Sequence, residues 1–358
     1  MAVYPKSETD RQVAAKNLTD VVTRIFLACG MSDRDAGLLT GSLVHADLRG
    51  VHSHGVLRIP DYVKKLTGDG VNPRGKPRSV VDRAEAIVVD GDKSGGQIGS
   101  EFAMRTAIER ARTVGVAYAA LGGSNHCGAM DWYTLMAVEA GMIGIAGTNA
   151  IPTMAPWGGL DPIVGINPLS IALPADKAPP FVLDFAFGAT AHGKMRVYHQ
   201  KGMALPDGWA FDADGNPTND AAKGLVGLIQ PIGLHKGVAL GMAVGILSSL
   251  LSGAGYGTES GTMKTGAMVG KDGAFFMAIN IAAFQDLGEF KRRVDTIIDQ
   301  IHKSRRRPGV ERLMVPGEIE HDLEAAYRRD GIILAGTTVD DIAQAAAKLK
   351  VDASALHA

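Results

Sequence analysis

Apolar residues recur at helical spacing between positions 8 and 29, at Val13, Leu18, Val21, Val22, Ile25 and Phe26. The chain therefore opens on an amphipathic helix. Gly30 closes it, since glycine takes the left-handed turn after a helix without steric penalty. Ser32 and Asp33 can cap a second helix running to about Asp47, and a third short helix covers 56–66. Strand-like patterns follow at 86–90, 115–121, 142–148, 169–173, 181–185 and 275–281. Helical patterns at 101–114 and 131–140 interleave with them. The stretch 209–219 is turn chemistry. The apolar run 237–251, rich in small residues, reads as a helix from Lys236 packed tightly on all sides. Further helices are expected at 290–307, 323–329 and 339–349. The mixture is α/β, with a helical N-terminal lobe.

Composition narrows this picture. At 358 residues the chain exceeds the roughly 250–300 residues at which one core stops growing, so more than one lobe is expected. A net charge of −1 provides no global field for nucleic acid or an anionic membrane. Two cysteines, Cys29 and Cys127, make neither a disulfide framework nor a four-ligand zinc set. A reducing, cytoplasmic setting is the simpler expectation. The N-terminal residues have no apolar core like that of a signal peptide, and the 237–251 run is shorter than the ~18 residues that span a bilayer. No G-x-G-x-x-G follows a strand: Gly253, Gly255, Gly257 and Gly261 miss the spacing. No phosphate-binding G-x-x-x-x-G-K-[ST] occurs either, so an ordinary Rossmann or P-loop protein is disfavoured.

Five polar segments could carry chemistry. In the first, His54 and Arg58 stand four apart, on one face if the turn is helical. A guanidinium grips a carboxylate through two parallel hydrogen bonds. An imidazole beside it could exchange a proton with the adjacent carbon's hydroxyl, and Ser53 could orient that ring. A helix start with satisfied polar groups explains the segment equally well. The second, Ser124-Asn125-His126 between glycines, joins a strand to a helix whose free N–H groups suit an anion. The third holds two turns, at Asn149 and Asn167, where positive φ is expected. The fourth runs from Asp184 to His192 and Lys194. The fifth is His235-Lys236-Gly237 at a helix start, which suits a phosphate. The basic run 304–307 is read as a helix end complementing its dipole rather than as a nucleic-acid site.

Together these segments resemble the type 2 malate/L-lactate dehydrogenase family. Its relatives include ureidoglycolate, sulfolactate and diketogulonate enzymes and Δ1-piperideine-2-carboxylate reductases. The matching blocks are ordered: 46–63, 122–130, 141–159, 165–175, 182–186, 192–195, 208–218, 235–237 and 315–318. The resemblance implies an α/β (α+β), non-Rossmann NAD(P)-binding fold with a large mixed sheet, and homodimers. It implies a helical domain at 1–75, with C-terminal helices from about 318–358 packing on it. A mixed-sheet domain at 76–317 would bind nucleotide and substrate, with room for a subdivision near 187–230.

The implied activity is hydride transfer between a nicotinamide cofactor and a small 2-hydroxy or 2-oxo acid. Two alternatives stand beside it: reduction of a cyclic 2-imino acid, and a catalytically silent ligand-binding homologue. By resemblance, His54 is the proton donor, Ser53 its partner and Arg58 the carboxylate ligand, with His126 an alternative acid/base. Ala150, Ile166 and His192 would border substrate. His126, Cys127, Gly128, Ala129, Met130, Asp184, Phe185, Ala186, His235, Lys236, Pro316, Gly317 and Glu318 would contact cofactor, and no metal is implied. Three positions depart from the family. Lys194 stands where some members carry the aspartate of a Ser–His–Asp relay, so that relay is in question. Ala150 and Ile166 replace a common serine and threonine, which argues against a second carboxylate on the substrate. Cys127 replaces a phenylalanine. Finally, Glu318, Glu320 and Asp322 would repel a 2′-phosphate, so NAD is expected. NADP is the alternative if Arg305, Arg306 and Arg307 fold back to the ribose.

Overall fold

The computed structural model describes residues 7–68 and 70–357. The first six residues, part of the segment read above for a signal peptide, lie outside the described residues. Seven strands form the main sheet: β1 (Arg78–Asp82), β2 (Ala86–Asp90), β3 (Val116–Ser124), β4 (Met142–Thr148), β5 (Leu169–Leu173), β6 (Phe181–Phe185) and β7 (Asp272–Asn280). Their spatial order is β1-β2-β3-β7-β4-β5-β6. Only β2 and β3 pair in parallel; every other neighbour is antiparallel. The sheet is mixed, as expected.

Helices cover both of its faces. In chain order the longer ones are α1 (Ala15–Ala28), α2 (Asp33–Leu48), α3 (Ile59–Thr67), α4 (Gly96–Val114), α5 (Asp131–Glu139), α6 (His192–Gln200), α7 (His235–Ser249), α8 (Leu287–His302), α9 (Glu318–Asp330) and α10 (Gly336–Lys348). Side chains alternate across a strand, so β7 sends Phe276 towards α4 and α5 and its neighbour Phe275 towards α7. A separate core gathers α1, α2, α3 and α10: Leu18, Val22, Phe26, Leu39, Leu43, Ile59 and Ile342 are all buried in it.

Several element boundaries differ from the pattern reading. Residues Arg11–Val13 are a strand rather than helix, paired antiparallel with Ile332–Leu334. Three-residue strands show no period, and the pairing ties the chain's two ends. Val56–Arg58 is a 3₁₀ turn and α3 starts at Ile59. Helix α4 begins at Gly96, five residues before the expected start, because its glycine-rich first turn packs against the 125–126 backbone. A Cβ on Gly96 would lie 2.0 Å from the Asn125 carbonyl oxygen. Helix α8 ends at His302, so Arg305, Arg306 and Arg307 sit in the loop beyond it and not on its last turn. Helix α7 is not enclosed on all sides: Leu240, Met242, Ile246 and Leu247 are exposed. Of the two asparagine turns, Asn167 has positive φ (31°) and Asn149 does not.

Candidate active site

The segment between α2 and α3 is folded around a buried carboxylate. Asp47, at the end of α2, accepts from the Val56 backbone N–H at 2.7 Å and bonds His52 Nδ1 at 2.7 Å. This pulls the chain so close that a Cβ on Gly55 would stand 2.2 Å from the Asp47 carboxylate oxygens. Gly55 breaks the helical path into two 3₁₀ turns, so His54 and Arg58 are not an α-helical i, i+4 pair. They are still held together. Ser53 Oγ lies 2.9 Å from His54 Nδ1, and Arg58 Nε donates to the Ser53 carbonyl at 2.8 Å. Arg58 also pairs with the exposed Asp61 at 3.5 Å.

His126 arrives from the other lobe, on the loop between β3 and α5. Asn125 pins that loop, donating to the Lys93 and Ser94 carbonyls and accepting from Gly270 N–H. The His54 and His126 rings stack with centroids 5.6 Å apart and planes 12° from parallel. His126 Nδ1 meets Tyr62 Oη at 2.7 Å, and Gln97 Nε2 donates to the same oxygen at 2.9 Å. Enclosure by protein and then the Arg58 charge bring His54 down to about 4. His126 is also lowered, by enclosure, then by His54, Arg58 and Lys65. Both rings are neutral at pH 7, which suits groups that take up or lend a proton rather than fixed cations.

A buried charge network locks the lobes together beneath this pair. Asp131, in the first turn of α5, bonds His45 Nε2 of α2 at 3.3 Å and Nε of Arg49, the residue just past that helix, at 2.7 Å. Arg49 reaches Glu324 on α9 at 3.4 Å. Burial would raise the Asp131 carboxyl, but His45 and Arg49 outweigh it and hold it at about 2. Asp184, at the end of β6, accepts from the Asp131 backbone N–H at 2.8 Å. Enclosure, then the Asp131 charge, push Asp184 up to about 8 against the Met130 and Asp131 N–H groups it accepts. The Asp184 side chain is nonetheless exposed, so solvent screens and moderates that rise.

The other expected residues form separate groups. Gly128, Ala129 and Met130 are buried. Cys127 packs its sulfur 3.7 Å from that of Met130, and burial pushes its thiol up to about 12; it is packing, not a nucleophile. Phe185 and Phe187 meet edge to face, and Ala186 is half-buried between them. Ala150 and Ile166 are joined through Asn167, whose Oδ1 accepts from Ala150 N–H at 2.9 Å. Asn149 and Asn167 are structural pins, each bonded to backbone carbonyls of other segments. His192 bonds the Leu225 carbonyl at 3.1 Å, and among the described residues no hydrogen bond joins it to another candidate. Lys194 lies 5.0 Å over the Trp209 ring. Pro316 accepts from Val182 N–H of β6, which sets Gly317 and Glu318 beside the strand that carries Asp184. His235 meets Trp157, and Lys236 is exposed in the first turn of α7.

This donor set fits a dinucleotide. Lys236 and the uncapped first turn of α7 suit phosphate oxygens. Asp184, exposed at the end of β6, offers a further polar partner. Sequence reading missed Asp47, Tyr62, Gln97, Arg49, His45 and Asp131. An acidic residue in a helix's first turn was the one visible signal among them.

A mixed sheet without a phosphate fingerprint, with paired imidazoles and an anchored guanidinium at its rim, defines a non-Rossmann oxidoreductase type of site. The chain belongs to the malate/L-lactate dehydrogenase family, whose model matches residues 13–343. It is 38% identical over 316 residues to a malate dehydrogenase of Pyrococcus abyssi, covering 86% of each chain. It is 38% identical over 317 residues to the L-sulfolactate dehydrogenase of Methanocaldococcus jannaschii, covering 88% of this chain and 91% of the other. The solved sulfolactate dehydrogenase structure from that organism superposes with a TM-score of 0.91, covering 97% of this chain and 100% of that one.

Proposed function

We propose that this chain interconverts small 2-hydroxy acids and 2-oxo acids, with a nicotinamide dinucleotide as redox partner. The observation that carries this is the convergence of Ser53-bonded His54, Tyr62-bonded His126 and anchored Arg58. Arg58 has its Nε fixed on the Ser53 carbonyl, and its terminal nitrogens, one of them paired at 3.5 Å with the exposed Asp61, exchange that partner for a substrate carboxylate. That grip brings the substrate's C2 oxygen towards the imidazoles. His54 takes the hydroxyl proton in oxidation and returns it in reduction, with Ser53 holding the ring in place. The carboxylate offsets the Arg58 charge that depresses His54, so the ring becomes a better base once substrate is bound. A bound nicotinamide supplies the hydride acceptor or donor.

Ala150 and Ile166 support a substrate without a second carboxylate, hence a lactate-like acid over malate. Lys194, seated on Trp209, supports a site in which Ser53 alone backs His54. The family comparison and the two neutral rings favour turnover over a silent binder. A panel of 2-oxo acids and cyclic imino acids, followed by the absorbance of the reduced nicotinamide, tests the reading. Absence of turnover with every member at high protein concentration sinks it.

Two finer points belong to the same proposal. The chain works as a homodimer joined through α7, whose exposed leucines would otherwise be a large wet apolar face. NADP is the better-fitting dinucleotide, contrary to the expectation from charge along the sequence. Glu318 is buried and already bonded to Val315 N–H and His302, and Asp322 pairs with Arg312. Two of the three carboxylates expected to repel a 2′-phosphate are thus engaged, leaving Glu320. Meanwhile Lys303, Arg305, Arg306 and Arg307 line a cavity of about 870 Å³ beside them. Among the described residues no helix is long and apolar enough to cross a membrane, and substrate, cofactor and a second copy of the chain are the partners this reading requires.

A further inference from the structure

Tyr62 and Gln97 come from different elements, α3 and the first turn of α4, and both are buried. Tyr62 Oη stands between two nitrogens: Gln97 Nε2 at 2.9 Å and His126 Nδ1 at 2.7 Å. An amide NH₂ only donates, so the phenol oxygen accepts from Gln97. A phenol has one hydrogen, and it is left for His126 Nδ1. That nitrogen must then accept, and a neutral imidazole carries a single N–H. The proton of His126 is therefore on Nε2, which makes no hydrogen bond among the described residues. Turning the Gln97 amide over would reverse the chain. It would also leave two N–H donors in the buried position where only the carbonyl oxygen Oε1 is now unpaired. Orphaned buried N–H groups are the rarer kind.

His54 differs. Its Nδ1 meets Ser53 Oγ, and a hydroxyl rotates to donate or accept as needed. The stacked rings are thus unequal: one is fixed in its tautomer and the other is free to change.

We propose that Gln97 and Tyr62 are positioning residues that fix His126 as the Nε2–H tautomer. His126 is thereby a standing hydrogen-bond donor to the substrate's C2 oxygen, and the changing proton is left to His54. The donor role rests on the 2-hydroxy-acid reading; the tautomer does not. A preorganised donor aimed at an oxygen that gains charge during reduction lowers the barrier without itself losing a proton.

The test is a long-range ¹H–¹⁵N spectrum of the full chain labelled at histidine, with His126 assigned from the loss of its signals in His126→Asn. The expected wild-type result is a bare Nδ1 and a protonated Nε2. Gln97→Glu replaces the donor by a carboxylate that only accepts, so the chain reverses and the proton moves to Nδ1. With it kcat for 2-oxo acid reduction falls by about 10²-fold, the usual loss for one such donor, while KM for the acid holds. Should Gln97→Glu not fold, Tyr62→Phe carries the test, and a mixture of tautomers is expected. A wild-type Nδ1–H ring, or a folded variant of either kind that keeps a single Nε2–H tautomer, overturns the proposal. The spectra need no substrate. A correct tautomer in a protein that turns over no 2-oxo acid therefore upholds the assignment of Gln97 and Tyr62 and overturns the donor role with the functional reading.

Discussion

His54 and His126 stack face to face, 5.6 Å apart and within 12° of parallel, although they come from different lobes and stand 72 positions apart in the chain. The stack means that neither ring can be charged without opposing the other, and the Arg58 charge reaches both. His54→Ala should lower kcat by about 10²–10⁴-fold, the range for a lost general acid/base. His126→Ala should lower it by about 10²–10³-fold, the range for a lost oxyanion donor. Steady-state kinetics on both variants check this. If neither loses more than about tenfold, both roles are wrong.

Arg58→Lys keeps the charge but loses the planar fork and the Nε bond to the Ser53 carbonyl. A charge-assisted hydrogen bond contributes ~1.5–3 kcal/mol. KM for the acid should therefore rise by about 10–100-fold, with cofactor affinity nearly intact. An unchanged KM for the acid removes Arg58 from the carboxylate site.

Asp131→Ala should destabilise the fold. It leaves Arg49, buried in the inter-lobe contact, without its shortest partner, and breaking a buried pair on one side costs ~3–5 kcal/mol. The sign of the pH dependence follows from the same group. Its folded pKa, about 2, is depressed. Its contribution is present above the unfolded carboxyl range and is lost as pH falls through about 2. Denaturant unfolding of wild type and variant at pH 7 and at pH 3 gives the comparison. A variant as stable as wild type at pH 7 would show that the network contributes nothing.

How much of this was legible beforehand depended on whether partners were local. His54, Ser53 and Arg58 share one short segment, so residue types and spacing were enough to single them out. His126 was found because it stands between glycines at a strand–helix junction. Gln97 was invisible as a site residue, and Asp131 readable only as a helix-start carboxylate, because their partners lie 35 and 82 positions away. Gln97 was further hidden by the glycines around it, which read as loop until packing on the 125–126 backbone makes them a helix. The strand at Arg11–Val13 and its partner at Ile332–Leu334 escaped for the same reason: remote pairing, not period, defines them. Glu318 looked like a free carboxylate, yet it is turned inward onto His302 and the Val315 N–H.

Helix α7 supplies a test of assembly. Leu240 and Leu247 are 55% and 42% exposed on it, and a charge placed there would be buried against a partner. Leu247→Arg should convert a dimer to monomers in sedimentation or light scattering, while the folded monomer keeps its far-UV circular dichroism. Wild-type monomer at micromolar concentration would end the proposal.

The cofactor prediction sets two charge clusters against each other. A 2′-phosphate carries close to two negative charges and binds best to arginine's planar fork. Arg306 is tied back to the Glu311 carbonyl and Arg312 to Asp322. Arg305 and Arg307 line the cavity without a hydrogen-bonded or ion-paired side chain among the described residues. The acidic side of the contest is weaker than the sequence suggests, because Glu318 and Asp322 are bonded where they stand and, of the three carboxylates, Glu320 alone has no partner among the described residues. NADPH should therefore exceed NADH in kcat/KM with one good 2-oxo acid, and the preference should reside in KM for the dinucleotide. Replacing Arg305 and Arg307 together by glutamate should raise the KM for NADPH by about 10²-fold, two charge-assisted contacts being lost. The KM for NADH should hardly move, since NADH has no 2′-phosphate to repel. A wild-type preference for NADH by tenfold would place the arginine loop away from the ribose and restore the expectation drawn from the acidic segment.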